Sequence, residues 1–463
     1  MGAIEAREGQ IRLEGLDRRL LVGLERASWD STVADLQGRL TNDVIDRAIA
    51  SLPAEFPRDA VAGIGNALRR RRNELPMVAA RFYRQLADEV ELRGSAEADD
   101  VTLEFADSTV GLTMADQAGN VRWRRRFHRR DTEELRLMVF GGDDRVTSVG
   151  GGRSRIRVLL VDEGGRLHID SAAAQSVRVF DSSSRYQPPV DPQDPLRIHR
   201  DWGHLFGVAP WFEARPEVGM LLGAGPVVTT YGFRKVPYSS RIAARASFAT
   251  GAGGVNIDVK GDFRFTRPDR RLLVQAAHLG TDVVRYFGFG NETVRSDEVS
   301  FHQTRQRLLM VEPKLVFDLG ATVQADVGGF LRRSNTDVER ATLLAAERPY
   351  GSGQFAEVGL SAGLTADTRD HPVYPTRGFR GEVSVRLVPG LLDVTETFGG
   401  VDARGSFFAT AATLPASPTL AVRAGEVRLA VVAEDDLAAG RREDGVAHRA
   451  AHDHVGTGSA DDV

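Results

Sequence analysis

"VNIDVKGDFRF", residues 255–265, reads as a β-strand with two unlike faces. Val255, Ile257, Val259, Phe263 and Phe265 fall on one side, and Asn256, Asp258, Lys260, Asp262 and Arg264 on the other. Alternation alone does not choose between a soluble sheet and a membrane sheet. In a soluble sandwich the apolar side turns inward, and strands average about five or six residues. Here the run is longer, as is GATVQADVGGFL at residues 320–331. A strand that crosses a bilayer needs about 9 to 11 residues, apolar toward lipid and polar toward a watery lumen. Between residues 202 and 425 about ten such segments follow one another, joined by Gly, Asn, Asp and Pro turns with no helical period between them. The expected fold is mainly β, a partial antiparallel transmembrane β-barrel of about ten strands. Trp211, Phe212, Tyr231, Phe233, Tyr238, Tyr286 and Phe287 lie near expected strand ends, where interfacial girdles form.

Composition sets the outer bounds. With 27% charged and 42% hydrophobic residues the chain is composed like a folded protein, and a net charge of -4 gives no global attraction to nucleic acid. No nucleic-acid partner is expected. The 463 residues leave room for one large barrel with further domains in front of it. The lack of cysteine excludes thiol catalysis, disulfides and zinc ribbons. No stretch approaches the roughly 18 to 20 apolar residues of a membrane helix. Residues 1–21, MGAIEAREGQIRLEGLDRRLL, contain no basic segment followed by an apolar core, so the expectation is a chain that is either cytoplasmic or begins inside a longer one.

The front of the chain divides in two. Residues 1–94 carry helical period. Asp30 and Ser31, after Trp29, are expected to cap a helix with Val33, Leu36, Leu40, Val44 and Ala48 on one face, ended by Pro53 and Pro57. A second helix is expected over 60–72, with Arg69–Arg72 as its solvated end. A third, opened by Pro76, would use Met77, Ala80, Tyr83, Leu86, Ala87 and Val90 as its core stripe. Residues 95–185 switch to period two, with short strands separated by GGDDR, GGGRSR and DEGG turns; a small β-rich domain or sheet stack is expected, which the resemblance given below would place in the periplasm. These turns lack the regular spacing of calcium-binding nonapeptide repeats. In VRWRRRFHRR, residues 121–130, Arg122, Arg124 and Arg126 alternate with Val121, Trp123 and Phe127. That basic face is either a half-exposed strand surface or a contact for anionic lipid or phosphate. A Pro-rich linker is expected over 186–201, within and after SSSRYQPPVDPQDP.

DTRDHPVYPTRG, residues 367–378, stands directly before an alternating strand. It resembles the Asp-x-x-Asp…Pro-Thr-x-Gly turn of the bacterial surface antigen family, the barrel module of outer-membrane assembly factors of the BamA and TamA type. Asp367, Asp370, Pro375, Thr376 and Gly378 match that turn position by position. YGFRKVPYSSR (231–241) and VRYFGFGNET (284–293) resemble segments from members whose barrel follows a periplasmic β region. The resemblance spans about residues 200–425, more weakly 16–185. It implies a bacterial outer-membrane location, with outer-membrane lipid and client or partner outer-membrane and periplasmic proteins as contacts. It also implies action in protein insertion, assembly or translocation through strand edges and lumen, without catalytic residue, cofactor or metal. Two alternatives remain open: the barrel as anchor or export half of a fusion with an upstream hydrolase or phosphoesterase-like module, and a soluble β-rich binding protein.

The pattern departs from the family after TLAVRAG (419–425), where no Arg-Gly-Phe/Tyr loop motif follows. Residues 426–463 hold no aromatic and are expected to form an aberrant, low-order tail of foreign or frame-shifted origin. A member truncated there would leave an open sheet with two unpaired edges. Enzyme motifs are weak. Gly359–Gly363, GLSAG, fits a hydrolase nucleophile pattern, but Ser361 falls within an alternating strand with no helix after it. His199, Asp201 and His204 match no established metal spacing, and His448, His452 and His454 sit in the tail. Walker-type and dinucleotide Gly motifs are absent.

Overall fold

The computed structural model describes residues 16–53, 55–150, 154–180, 200–265, 269–288, 298–410 and 419–432. It divides into two compact units, Met1–His199 and Arg200–Val463. The expected linker over 186–199 and the tail from 433 onward lie outside the described residues, as do residues 289–293 of the second family-like segment.

The helices differ from the expectation in four places. Helix α1 (Arg26–Arg39) starts before Trp29, so Asp30 and Ser31 lie inside it, and the Ser31 hydroxyl donates back to the Ser28 carbonyl at 3.0 Å. The chain then breaks at Leu40. Thr41 accepts from the Val44 amide at 3.3 Å and opens α2 (Asn42–Ala50), so a local cap overrides the continuous apolar period. Helix α3 (Arg58–Ala87) fuses the two helices expected on either side of Pro76. A proline inside a helix removes one N–H bond and leaves the carbonyl four residues earlier unpaired. Here that carbonyl belongs to Arg72, and the Gln37 side-chain amide from α1 donates to it at 2.9 Å. The neighbouring helix thus satisfies the group that Pro76 orphans, and Arg69–Arg72 is a mid-helix run. Val90 is not on α3 at all; it is buried in a strand that begins at Glu89, where Val90 and Leu92 alternate with charged residues.

Nine short strands follow: β1 (Glu89–Arg93), β2 (Asp99–Ala106), β3 (Thr109–Asp116), β4 (Val121–His128), β5 (Glu134–Val139), β6 (Asp143–Val149), β7 (Arg157–Asp162), β8 (Arg166–Ile169) and β9 (Arg178–Phe180). They form two sheets, ordered β1-β5-β7-β9 and β4-β3-β2-β6-β8. The first sheet is wholly parallel, and so is the β2-β6-β8 part of the second. Glu89 pairs with Glu134 in one sheet and Asp100 with Arg145 in the other, an offset of 45 in both. Glu134 pairs with Arg157, and Asp143 with Arg166, an offset of 23 in both. Equal offsets on two faces mean that the chain winds in stacked coils, as a β-solenoid does. The first coil is longer because the β3–β4 hairpin is inserted in it.

Stacking places like residues over one another. Leu92, Leu137 and Leu160 pair in register and are fully buried, and Val101 lies beside Val146 on the facing sheet. The corners stack as tightly. Gly142 and Gly165 both have positive φ, and a Cβ on Gly165 would sit 2.5 Å from the Gly142 carbonyl oxygen. Helix α4 (Ser171–Ser176) follows β8, capped by Asp170, which accepts from the Ala173 amide at 2.6 Å.

At the same corners Asp144 accepts from the Asp99 amide at 2.9 Å, with both residues only 1% exposed. Burial pushes the Asp144 carboxyl up to about 6, with the charges of Asp99, Asp162 and Asp143 adding to the effect. The folded unit therefore binds a proton that the unfolded chain releases near its ordinary pKa, so stability falls as pH rises from about 4 through 6. Hydrogen exchange of the Leu135–Val139 amides in the full chain should be slower at pH 5 than at pH 7.5, after correction for intrinsic rates. Asp144→Asn should remove that difference; an unchanged difference would show that another group sets it.

The second unit is one antiparallel meander: β10 (His204–Arg215), β11 (Gly219–Thr230), β12 (Ser240–Ala249), β13 (Gly254–Arg264), β14 (Arg270–Arg285), β15 (Gln303–Asp318), β16 (Val323–Thr336), β17 (Gln354–Asp367), β18 (Gly378–Val388), β19 (Phe398–Thr410) and β20 (Thr419–Val432). Each strand pairs with its sequence neighbour in an 11-stranded sheet. The last strand continues past Gly425, where the sequence pattern had ended the barrel, because residues through Val432 keep pairing with β19. Among the described residues, β10 and β20 are the two edges. Among the described residues, no helix is long and apolar enough to cross a membrane.

Candidate functional site

The long sheet is inside out relative to a soluble protein. Ile257 and Val385 are 46% and 45% exposed, while Asp258 and Arg386 on the reverse face are half-buried. The same parity holds along β15, where Leu309 and Val311 are exposed and Glu312 and Lys314 are sheltered. The sheltered face is organised by cross-strand charge pairs. Arg245 and Asp258 stand directly opposite on β12 and β13 and join through two bonds of 2.8 and 3.1 Å. Arg332 on β16 reaches Glu312 at 2.5 Å on one side and Glu357 at 3.9 Å on the other. Arg386 meets Asp402 at 3.2 Å across β18 and β19. Charges sheltered in this way are tolerable only when paired, and the pairing also fixes strand register.

Three of the seven aromatics expected at an interface, Trp211, Tyr238 and Tyr286, meet charged partners instead. The Arg245 guanidinium lies 5.1 Å from the Trp211 ring, and the Tyr238 hydroxyl donates to Asp262 at 2.9 Å. Tyr286 is buried and donates to Glu347 at 2.6 Å. Phe212 does face outward, at 78% exposure.

The two ends of the sheet differ. At one end lie the long connections between β14 and β15 and between β16 and β17, and described residues of the two meet: Tyr286 bonds Glu347, and the Thr304 hydroxyl donates to Thr342 at 3.1 Å. Tyr350 ties this structure to residues 389–397, donating to the Asp393 carbonyl at 3.1 Å and accepting from the Thr395 amide at 2.9 Å. The opposite end has short connections, among them the motif turn between β17 and β18.

That turn is built by its own matching residues. Asp370 accepts from the Thr376 amide at 2.9 Å, from the Arg377 amide at 3.1 Å and from the Thr376 hydroxyl. The hydroxyl bond, followed by the amide bonds, holds the Asp370 carboxyl far below the usual carboxylate range. Asp367 takes the Arg369 guanidinium in a fork of 2.9 and 2.7 Å and lies opposite Arg380 in register. Pro375 precedes Thr376 and favours extended backbone at Tyr374. Gly378 has φ +112, and an added Cβ would lie 2.5 Å from the Thr368 carbonyl oxygen. The motif thus encodes a closed turn that aims β18.

The basic strand lies at a sheet edge. Arg122, Arg124 and Arg126 are exposed on β4; Arg126 pairs with Glu104 at 3.5 Å, and Arg124 has no ion pair among the described residues. Arg125 was not singled out by sequence. It is 5% exposed, donates to the Val22 carbonyl and stacks 4.7 Å from the Phe127 ring. Three consecutive arginines in a strand must place at least one on the apolar face, and that is the signal available in the sequence. Ser361 lies within β17 and is followed by a turn and another strand, without the helix a nucleophile elbow needs. His199 and the tail histidines are outside the described residues; His204 is exposed at the start of β10. No cluster of three metal-ligating side chains occurs among the described residues.

An 11-stranded antiparallel meander with strands of 10 to 16 residues, aliphatic outside and ion-paired within, has the architecture of a transmembrane β-barrel sheet. Residues 240–429 match the Omp85 superfamily domain, a span that covers β12 to β19 and most of β20. Among solved structures, the chain is similar to BamA from Haemophilus ducreyi lacking POTRA domains 1-3, with 14% identity and a TM-score of 0.32, over 50% of this chain. The match spans 41% of that chain's length. No curated protein sequence matches.

Proposed function

We propose that this chain is a bacterial outer-membrane β-barrel protein that acts, without catalysis, in the insertion, assembly or translocation of other outer-membrane proteins. The observation that carries the reading is the outward exposure of Ile257, Val385 and their neighbours while the charged partners of Arg245, Arg332 and Arg386 sit on the sheltered face. Water would leave those aliphatic side chains unsatisfied, whereas lipid solvates them. The Omp85 superfamily domain supports an assembly or translocation role over a passive one. Clients would meet the sheet through its edges and its polar face. The front β-solenoid would stand in the periplasm, and Arg122, Arg124 and Arg126 would offer it a contact for anionic surfaces.

The full chain should refold into lipid vesicles, migrate differently on gels when heated, and accelerate the folding of an unrelated outer-membrane barrel added as client. Insertion without acceleration would favour the anchor or export reading. A chain that stays folded and monodisperse in buffer without detergent would sink the membrane assignment.

A further inference from the structure

The lipid-facing side of the sheet is not uniformly apolar. On β15 the outward parity runs Arg305, Arg307, Leu309, Val311, with all four exposed. On β16 Arg333 stands opposite Leu309, and Asn335 opposite Arg307, both also exposed. Arg305, Arg307 and Arg333 therefore form a cluster on one patch of the outer face, with neighbouring backbone positions about 7 to 8 Å apart. The cluster lies at the end of the sheet that carries the long connections 286–302 and 337–353. Leu331 on β16 and Leu309 on β15 begin the aliphatic band next to it.

None of the three arginines has a carboxylate partner among the described residues; Arg305 donates only to the Ala252 carbonyl, at 3.4 Å. Two carboxylates at the same end are already engaged, Asp337 by Arg340 at 2.9 Å and Glu217 by Arg285. On the sheltered face, by contrast, arginines meet acids repeatedly. Arginines left free at the boundary of a lipid-facing band need an anion from outside the chain, and a guanidinium fits phosphate in a two-pronged geometry. In outer-membrane barrels the longer loops face the exterior, so the cluster would meet the headgroups of the outer leaflet.

We infer that Arg305, Arg307 and Arg333 form a binding site for the phosphate groups of an outer-leaflet lipid. The inference rests on the membrane reading above. The site would hold a particular lipid against β15 and β16 and fix the depth of the sheet in the bilayer.

The test titrates fluorescent lipid A, a bis-phosphorylated glycolipid, and separately phosphatidylglycerol into the refolded full chain in neutral detergent. R305Q/R307Q/R333Q should lose on the order of 100-fold in affinity for lipid A, given roughly a fivefold contribution from each cation. The corresponding triple lysine variant should lose less, because it keeps charge but not the two-pronged geometry. Tighter binding of lipid A than of phosphatidylglycerol would assign the site to the glycolipid; the reverse order would assign it to a phospholipid phosphate. Both variants should insert into vesicles as the parent does. Equal lipid affinity in parent and glutamine variant, with insertion intact, would overturn the site alone. Failure of the parent to insert would overturn the membrane reading and this inference with it.

Discussion

Replacing Val259 with arginine should lower the stability of the vesicle-embedded chain by about 2 to 4 kcal/mol, seen as an earlier denaturant midpoint. Val259 lies near the middle of β13 on the outward face, flanked by Ile257 two residues before it. If lipid surrounds that face, the guanidinium enters hydrocarbon with no partner in reach. If water surrounds it, the change is an exposed substitution worth within about 0.5 kcal/mol. Lys260→Gln, one residue away on the sheltered face, should cost less than about 1 kcal/mol and serves as the internal control. The two substitutions thus report which solvent each face meets, independently of any activity. A neutral Val259→Arg variant would reverse the reading of the whole second unit.

Gly378→Ala should cost about 3 kcal/mol, although it adds a single methyl group. The backbone at this position is left-handed, and the added carbon would press on the Thr368 carbonyl and on Arg369 Cα at 2.7 Å. Neither atom belongs to a flexible side chain that could swing away. The turn would have to open, releasing the Thr376 and Arg377 amides from Asp370, so their hydrogen exchange should accelerate in step with the loss of stability. Unchanged exchange at these two amides would mean that the turn is held by the strands around it and not by its own residues.

The β-barrel sheet was legible because lipid enforces a simple rule, residue by residue. Every second side chain of VNIDVKGDFRF is aliphatic or aromatic apart from Gly261, and β18 repeats that parity with Val383, Val385 and Leu387. Strand ends were less legible: β20 runs on through Glu426–Val432, where pairing to β19 outlasts the aromatic-rich composition. The motif turn was visible through five residues, and the structure supplies the bonds that explain why those residue types stand there. The aromatics misled, because Trp211, Tyr238 and Tyr286 serve charged partners on the sheltered side. Position near a strand end does not reveal which face a ring takes. In the front unit, Pro76 suggested a helix boundary, yet Gln37, distant in sequence, supplies the compensating bond. The coiled winding was hidden for a similar reason. The GGDDR and DEGG turns are its corners, but the inserted hairpin breaks the spacing between the first coil and the next. The arginine cluster at the sheet's outer rim could have been found by carrying the parity of LLMV back into QTRQR.

The matched register offsets of the front unit bear on its mechanics. Because Glu89, Glu134 and Arg157 lie one above another, each extra winding lengthens the structure by about 4.8 Å without altering the windings already present. Whatever is joined to the two ends of such a spring-like stack is held apart in fixed increments. Insertion or deletion of a whole winding should therefore change reach while sparing the fold, whereas loss of a partial winding would put every Leu137-type contact out of step.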